Sequence, residues 1–154
     1  MPGIELDNLT AFRQLEGTDL PIGSWHTVSQ AMIDSFADAT DDRQWIHVDA
    51  GRAASESPFG ATIAHGFLSL SLLSRLIRDL FTVKSVRMAI NYGVNKVRFP
   101  SAVVVGSKIR LLARPIKIEE YPNNGVKITW DCKVELQDTA KPAVIAEYII
   151  LMFE

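Results

Sequence analysis

The stretch of sequence that decides the fold is AHGFLSLSLLSRLIRDLF, residues 64–81. Its apolar side chains recur at helical spacing on one face, at Phe67, Leu70, Leu73, Leu76 and Ile77. Three further leucines widen this stripe beyond that of a surface helix, at Leu68, Leu72 and Leu80. We therefore expect a helix that opens at Ala64-His65-Gly66 and is buried nearly all round.

The spacing of the apolar residues changes from helical to strand-like after Phe81. Four later segments alternate apolar and polar residues or are rich in β-branched residues: Ser85–Phe99, Lys108–Ile118, Val126–Gln137 and Val144–Phe153. Turn-forming residues separate them, at Pro100, Gly106, Asn123-Asn124-Gly125 and Lys141-Pro142. These features predict a run of antiparallel strands. One buried helix wrapped by one curved antiparallel sheet, the α+β arrangement called the hot-dog architecture, satisfies the pattern better than two domains.

Length and charge narrow the class of protein. The chain has 154 residues, of which 47% are hydrophobic and 22% charged, which suits one domain spanning 1–154. The formal net charge of -2 leaves no basic surplus to follow a phosphate backbone. We therefore expect no nucleic-acid partner.

Neither end of the chain predicts export or a membrane anchor. The opening residues MPGIELD carry acidic groups where a secretory signal would carry basic ones, and no apolar core follows them. The apolar tail Ala143–Phe153 is interrupted by Glu147 and falls well short of the ~20 residues that a membrane-spanning helix requires. The expectation is a soluble, cytoplasmic protein with no membrane partner.

Cys132 is the single cysteine of the chain. An internal disulfide and a multi-cysteine zinc site are therefore excluded. Cys132 alternates with Trp130 and Val134 in a strand-like run, so we interpret it as a packing residue and not as a nucleophile.

A second stretch, FADATDDRQWIH at residues 36–47, carries the candidate chemistry. It ends a predicted helix that has Ser29 as its N-cap and runs to about Thr40. Asp42 and His47 stand five residues apart, whereas helical neighbours stand three or four apart, so the two converge only if the chain turns. Residues Asp41–Ala61 indicate a long excursion with one short helical turn near 51–55, and such loops are often functional.

With these residues in place, the chain resembles the MaoC-like dehydratases, the (R)-specific enoyl-CoA hydratase branch of the hot-dog superfamily, over most of its length. The family signature is an aromatic residue, then Asp-x-Asn-Pro-x-His, a small residue, and later a His-Gly pair that begins the central helix. The corresponding positions here are Phe36, Asp42, His47, Ala53 and His65-Gly66, with 95–100 resembling a later strand segment. The departures are Gln44 for the usual Asn, Trp45 for the usual Pro, and Asp41 where Gly is common.

The resemblance implies a reaction and a division of roles. A trans-2-enoyl thioester would be hydrated to its (3R)-3-hydroxyacyl product, with Asp42 deprotonating the water that attacks C3 and His47 protonating C2. The reverse reaction swaps the roles, and two ionisable groups this close would titrate as a pair. From spacing alone, Asp42 could instead cap a short turn and His47 could be a hydrogen-bonded loop histidine. No metal or redox cofactor is implied, because coenzyme A enters as part of the substrate.

Three residues at the start of the central helix are further candidates. Gly66 would let a ligand approach the backbone closely, and the free N–H groups there favour an oxyanion, although close packing of helix and sheet is the alternative. His65 is either structural or in contact with the substrate. In the family the acyl chain runs alongside this helix, so Phe67 is a candidate lining residue, although core packing explains it equally well.

Gln44 keeps the amide of the signature on a longer arm and is a candidate substrate contact.

The remaining charged candidates lie on either side of this region. Asp38 and Asp41 are rival carboxylates: Asp38 faces away from its helix's apolar stripe, and burying Asp41 together with its neighbour would be costly. Only the resemblance selects Asp42. Lys96 and Arg98 alternate on one predicted strand face and are candidates for binding coenzyme A phosphates, although a solvated sheet face explains them more simply.

The leading hypothesis is therefore an (R)-specific enoyl-CoA hydratase that acts on thioesters of coenzyme A or of acyl carrier protein. We expect a homodimer, because a hot-dog sheet leaves an edge strand that a second copy commonly covers. One alternative is an acyl-CoA thioesterase, which would release free thiol. Another is a catalytically silent acyl-thioester binding subunit, in which Gln44 and Trp45 have reshaped the loop so that Asp42 and His47 do not converge.

Overall fold

The structure is a computed structural model that describes residues 3–154. A five-stranded antiparallel sheet has the order β2-β5-β6-β7-β4, and a separate parallel pair joins β1 to β3. The strands are β1 (Ile4–Leu6), β2 (His26–Thr27), β3 (Phe81–Val83), β4 (Met88–Arg98), β5 (Lys108–Tyr121), β6 (Gly125–Leu136) and β7 (Val144–Phe153). The helices are α1 (Leu9–Arg13), α2 (Gln30–Thr40), α3 (Trp45–Val48), α4 (Ala50–Glu56), α5 (Gly66–Ser71) and α6 (Leu73–Leu76), followed by a 3-10 turn at Ile77–Asp79.

The sheet confirms the prediction of four long antiparallel strands. Each strand ends within three residues of its predicted segment, because strict alternation of side chains marks a half-buried strand clearly. Asn123 and Asn124 make the β5–β6 turn with φ angles of 62° and 55°. Asparagine tolerates this left-handed backbone better than most residues, which is why the Asn-Asn-Gly sequence predicted a turn there.

The central helix differs from the prediction in two ways. It consists of α5, α6 and the 3-10 turn in succession, all packed on the sheet's inner face. The expectation that it is buried nearly all round is wrong, because Phe67 is 68% exposed and Ser71, Arg75 and Arg78 continue the same exposed stripe. These four residues recur at spacings of three and four, so they share one face of the helix.

The core lies between this helix and the sheet. Trp130 is fully buried and packs on Phe12 and Phe81, with ring centroids 5.8 Å and 5.3 Å away. These partners bring in α1 and β3, which the sequence analysis did not predict. Cys132 is 1% exposed in the same core, and burial raises the pKa of its thiol to about 12. The interpretation of Cys132 as a packing residue is confirmed.

Strand β4 forms one edge of the sheet and is exposed along most of its length. Large apolar side chains remain exposed on it, at Met88, Ile90, Tyr92 and Val94. The pairing with β7 shifts register between Asn95 and Arg98, and Lys96 lies between them with a φ angle of 51°. The plain alternation expected for Lys96 and Arg98 is therefore interrupted by a β-bulge.

Candidate active site

Asp42 and His47 converge because the chain reverses between them. Helix α2 ends at Thr40, and its C-cap Asp41 adopts a left-handed backbone with a φ angle of 57°. The one-turn helix α3 then brings His47 back toward Asp42. One carboxylate oxygen of Asp42 and one ring nitrogen each of His47 and His65 all lie within 4.8 Å of one another. The chain therefore makes the turn that the five-residue spacing required.

One carbonyl group fixes the position and tautomer of the His47 ring. Its Nδ1 donates a hydrogen bond to the Ile63 carbonyl oxygen at 2.6 Å. A carbonyl only accepts, so in the neutral ring the lone pair lies on Nε2, which is free to exchange a proton. The ring is 7% exposed, and burial lowers the pKa of His47 below its ordinary value, with the neighbouring His65 contributing in the same direction. His47 is therefore neutral at pH 7.

His65 contacts both Asp42 and His47. Its Nε2 donates to the Asp42 carbonyl oxygen at 2.9 Å and lies 4.0 Å from the Asp42 carboxylate. Its ring stacks on the His47 ring with centroids 3.7 Å apart and lies 4.9 Å from the Phe36 ring. Sequence spacing gave His65 no acidic neighbour, but the fold supplies one from 23 residues away.

Gln30 is a site residue that the sequence analysis missed. Its Nε2 donates to the His47 carbonyl oxygen at 2.7 Å, and its Oε1 accepts from the Thr62 hydroxyl at 2.5 Å. Gln30 therefore ties α3 to the first turn of α2 and to the strand-like segment before the central helix. In the sequence it stands directly after the N-cap Ser29 and looks like an ordinary polar helix residue.

The rival carboxylates are held away from this cluster. Arg43 forms ion pairs with Asp38, at 3.1 Å, and with Asp41. All three side chains are more than half exposed, so these pairs contribute little stability. They do, however, hold both carboxylates on Arg43, which leaves Asp42 as the carboxylate that faces the histidines.

Gly66 is the first residue of α5, and its amide precedes the first bond of that helix, from Leu68 N to the His65 carbonyl oxygen. The amide is therefore one of the helix-start donors without an intrahelical acceptor. A side chain at this position would place its Cβ 2.8 Å from the Phe99 ring. Glycine thus lets the helix start pack closely against Phe99, and a larger residue would force that ring to shift.

The other predicted contacts are spread more widely, and they do not all face this cluster. Gln44 is exposed, and its carbonyl accepts the His47 amide at 3.0 Å. Phe67 packs edge-on against Phe99 with centroids 6.1 Å apart. Lys96 pairs with Glu147 at 3.3 Å, on the opposite face of the sheet from the central helix, and Arg98 is exposed.

The cluster has the chemistry of a proton-transfer pair beside an oxyanion donor. An exposed carboxylate and a buried neutral imidazole stand together, and a helix start with an unused amide lies next to the histidine that stacks on His47. The same three ligand atoms, within 4.8 Å of one another, could also coordinate a metal ion. However, the Nε2 atom of His65 already makes a hydrogen bond to the Asp42 carbonyl. Among residues 3–154, no helix is long and apolar enough to cross a membrane.

The sequence and fold of this chain are similar to those of several known proteins. A family model described as MaoC like domain matches residues 12–129. The 3-hydroxyacyl-thioester dehydratase Z of Mycobacterium tuberculosis is 52% identical over 126 residues, 82% of this chain and 83% of that protein. Nodulation protein N of Rhizobium meliloti is 40% identical over 147 residues, 94% and 90% of the two chains. The unliganded R-hydratase PhaJ1 of Pseudomonas aeruginosa superposes with a TM-score of 0.66 at 27% identity, covering 88% of this chain and 83% of that one.

Proposed function

The chain belongs to the MaoC-like dehydratase family and is a hydro-lyase, and from that premise we propose that it catalyses the reversible syn hydration of trans-2-enoyl thioesters to (3R)-3-hydroxyacyl thioesters. The observation that carries the proposal is the convergence of Asp42 and His47 beside the start of the central helix. Its relative's name, 3-hydroxyacyl-thioester dehydratase, supports an acyl thioester as the substrate.

Asp42 and His47 together carry one proton before and after the reaction, and its position differs between the two directions. In hydration, Asp42 takes a proton from the water that forms the C3–O bond, and protonated His47 gives its Nε2 proton to C2. Hydration ends with a protonated Asp42 and a neutral His47, which is the form that dehydration requires. Because burial lowers the pKa of His47, the resting ring suits the dehydration direction, in which Nε2 removes the C2 proton.

The stereochemistry follows from the placement of both groups around one water. Asp42 and His47 lie side by side, so the hydroxyl and the proton reach the double bond from the same face. In the transition state, negative charge builds up on the thioester oxygen. The Gly66 amide is the donor that we assign to this oxygen, since a fixed backbone N–H at a helix start stabilises an oxyanion without reorganisation.

We assign the edge strand β4 to the dimer interface. β4 is an eleven-residue edge with exposed apolar side chains, whereas the opposite edge, β2, has two residues. A long, flat, apolar edge invites pairing with another chain. A second copy of this chain pairing along β4 would cover it and give a homodimer with twofold symmetry.

The thiol carrier is coenzyme A or acyl carrier protein, and both offer a phosphate to a basic residue. Arg98 is the better candidate for this contact, because it is exposed and directly precedes Phe99, which packs on Gly66. Lys96 remains a candidate, although its ion pair with Glu147 would have to break. Gln44 and Phe67 stay proposed substrate contacts on the two sides of the cluster.

A spectroscopic assay tests this function directly. Loss of the conjugated enoyl-thioester absorbance is followed with crotonyl-CoA and a longer enoyl-CoA, with thiol release monitored in the same sample. The proposal predicts loss of the double bond without thiol. Release of thiol would instead identify a thioesterase, and binding without turnover would identify a silent binding subunit.

A further inference from the structure

A cavity lies beyond the catalytic cluster, along the second half of the central helix. It has a volume of about 500 Å³ and is walled by the helix, β3, β4 and β7. Most of its lining is apolar, including Ile77, Phe81 and Met152. Polar side chains also reach it, at Ser74, Arg78, Asn91 and Tyr148. A mainly apolar cavity with a few converging polar groups is the usual form of a small-molecule site.

A smaller cavity adjoins this space on the side of the catalytic end of the helix. It has a volume of about 260 Å³, shares Ser74, Asn91 and Tyr148 with the larger cavity, and extends to Leu70. Leu70 lies one turn beyond Gly66. At 1.5 Å per residue, Ser74 lies roughly 12 Å along the helix from Gly66. The two cavities therefore meet at the three shared side chains and follow the helix toward the proposed oxyanion donor. We call this pair of cavities the groove.

The hydrogen bonds inside the groove leave donors unused. The Asn91 Oδ1 accepts from the Tyr148 hydroxyl and, at 3.4 Å, from the Ser74 hydroxyl. Burial raises the pKa of Tyr148, so its hydroxyl remains protonated and keeps donating. With its oxygen occupied twice, Asn91 has two N–H donors left to offer.

Arg78 adds a charged donor to the same wall. Its Nε donates to the Ser74 carbonyl oxygen at 3.2 Å, which holds the guanidinium beside the polar triplet of Ser74, Asn91 and Tyr148. Among residues 3–154, no carboxylate lies within 4.0 Å of Arg78. The neighbouring Arg75, in contrast, is paired with Asp79 at 2.9 Å. The groove thus offers unused N–H donors from Asn91 and from the Arg78 cation.

We propose that this groove binds the acyl chain of the substrate and that Arg78 and Asn91 select chains that carry a carboxylate at the far end. A carboxylate accepts hydrogen bonds and carries a negative charge, so it matches the Arg78 cation and the free N–H groups of Asn91, whereas an uncharged chain end gains no ion pair there. An extended chain advances about 1.2 Å per bond, so roughly 12 Å corresponds to about ten bonds. The substrate class is therefore an ω-carboxyacyl thioester of about ten carbons. This inference rests on the proposed function.

The test compares two thioesters that differ only at the far end. They are trans-2-decenoyl-CoA and the coenzyme A monothioester of trans-2-decenedioic acid. The measured quantity is the ratio of kcat/KM for the second to that for the first, in wild type, Arg78→Gln and the control Arg75→Gln. We expect a ratio of about five in wild type, since an ion pair with an exposed arginine is worth up to about this factor. Arg78→Gln should bring the ratio close to one, and Arg75→Gln should leave it at the wild-type value.

A ratio near one in wild type, or a ratio that Arg78→Gln leaves unchanged, overturns the inference. Its failure is distinguishable from that of the proposed function, because turnover of trans-2-decenoyl-CoA alone supports the latter. If neither thioester turns over, calorimetric binding of the two decides the matter: a preference of at least about fivefold for the carboxylated chain, lost in Arg78→Gln, supports the groove assignment. Equal binding of the two chains overturns it.

Discussion

His47 and Ile63 are joined by a hydrogen bond of 2.6 Å from the His47 Nδ1 to the Ile63 carbonyl oxygen. The backbone reinforces this contact, because the Ile63 amide donates to the Ile46 carbonyl at 3.0 Å. The segment before the central helix is thereby fixed to the helix that carries His47. One consequence is chemical: the proton of the neutral ring resides on Nδ1, and Nε2 is available to a substrate.

The pH dependence of dehydration should report the single proton that Asp42 and His47 share. Dehydration requires a protonated Asp42 with a neutral His47, so kcat/KM for a 3-hydroxyacyl thioester should be bell-shaped, with two apparent pKa values that belong to the coupled pair. Burial lowers the pKa of His47, so the rate should already be falling with rising pH below about 6.5, the ordinary histidine value. A rate profile between pH 4.5 and 8 checks this, and a rate that still rises above pH 6.5 would contradict it.

The same group makes stability depend on pH. Since the folded pKa of His47 is lowered, the unfolded state binds more protons below about 6.5, and the free energy of unfolding should fall as pH falls from there through the folded pKa. Above about 6.5 both states are neutral at this position, and the contribution is constant. Urea unfolding at several pH values, for wild type and His47→Gln, should show a smaller acid-side loss in the variant. Parallel curves for the two proteins would argue against a buried neutral His47.

His65 should act by positioning Asp42. Replacing it with Phe keeps a ring against His47 but removes the donor to the Asp42 carbonyl. Without this hydrogen bond the Asp42 backbone is no longer held against the site, so kcat should fall about tenfold or more while KM changes little. His65→Gln keeps an N–H donor and should retain more of kcat than His65→Phe does. Equal loss in the two variants would mean that the hydrogen bond does not matter.

Gln30 and Thr62 should act on His47 as one unit. Gln30→Leu removes the donor to the His47 carbonyl, and Thr62→Val removes the donor to Gln30. Each single change should destabilise the fold by about 1–3 kcal/mol, and the double variant should cost less than the sum, because the groups share one network. Denaturant unfolding of the four proteins gives the coupling energy. Strict additivity would separate Thr62 from the site.

The proposed dimer makes a prediction about mass. Light scattering after size exclusion should give twice the 17.1 kDa of one chain. A double change on the edge strand, Ile90→Lys with Tyr92→Lys, should weaken self-association by about tenfold or more, since charges on an edge oppose strand pairing. Ile145→Lys is the matched control, because Ile145 is 43% exposed but lies on β7, which is paired on both sides. Loss of the dimer in the control alone would place the interface elsewhere.

The sequence predicted the long strands and the catalytic turn for local reasons. Alternation marks β5, β6 and β7 without any knowledge of their partners, and the five-residue spacing of Asp42 and His47 demands a turn wherever the chain goes. The short strands β1 and β3 escaped prediction because their pairing is parallel and joins residues far apart in the chain. Three-residue segments carry too little periodicity to be recognised.

Other features of the site depend on tertiary contacts that no spacing reveals. His65 meets Asp42 across 23 residues and Gln30 meets Thr62 across 32 residues, so neither pair leaves a local pattern. The exposed stripe on the central helix was missed because Phe67 and the leucines around it read as one wide apolar surface. The fold divides that surface between the core and the rim of the site.

The proposed function depends on Asp42 and His47 acting together as the hydro-lyase centre of this protein. The most direct measurement compares the turnover of one enoyl-CoA by wild type, Asp42→Asn, His47→Gln and Asp41→Asn, with binding of the product thioester measured in parallel. Asp41 is the matched control, because it is the adjacent carboxylate but is paired with Arg43 at the surface. We predict that Asp42→Asn and His47→Gln lower kcat by about 10²-fold or more with binding retained, and that Asp41→Asn keeps near wild-type turnover. Comparable activity in Asp42→Asn and wild type would contradict the account.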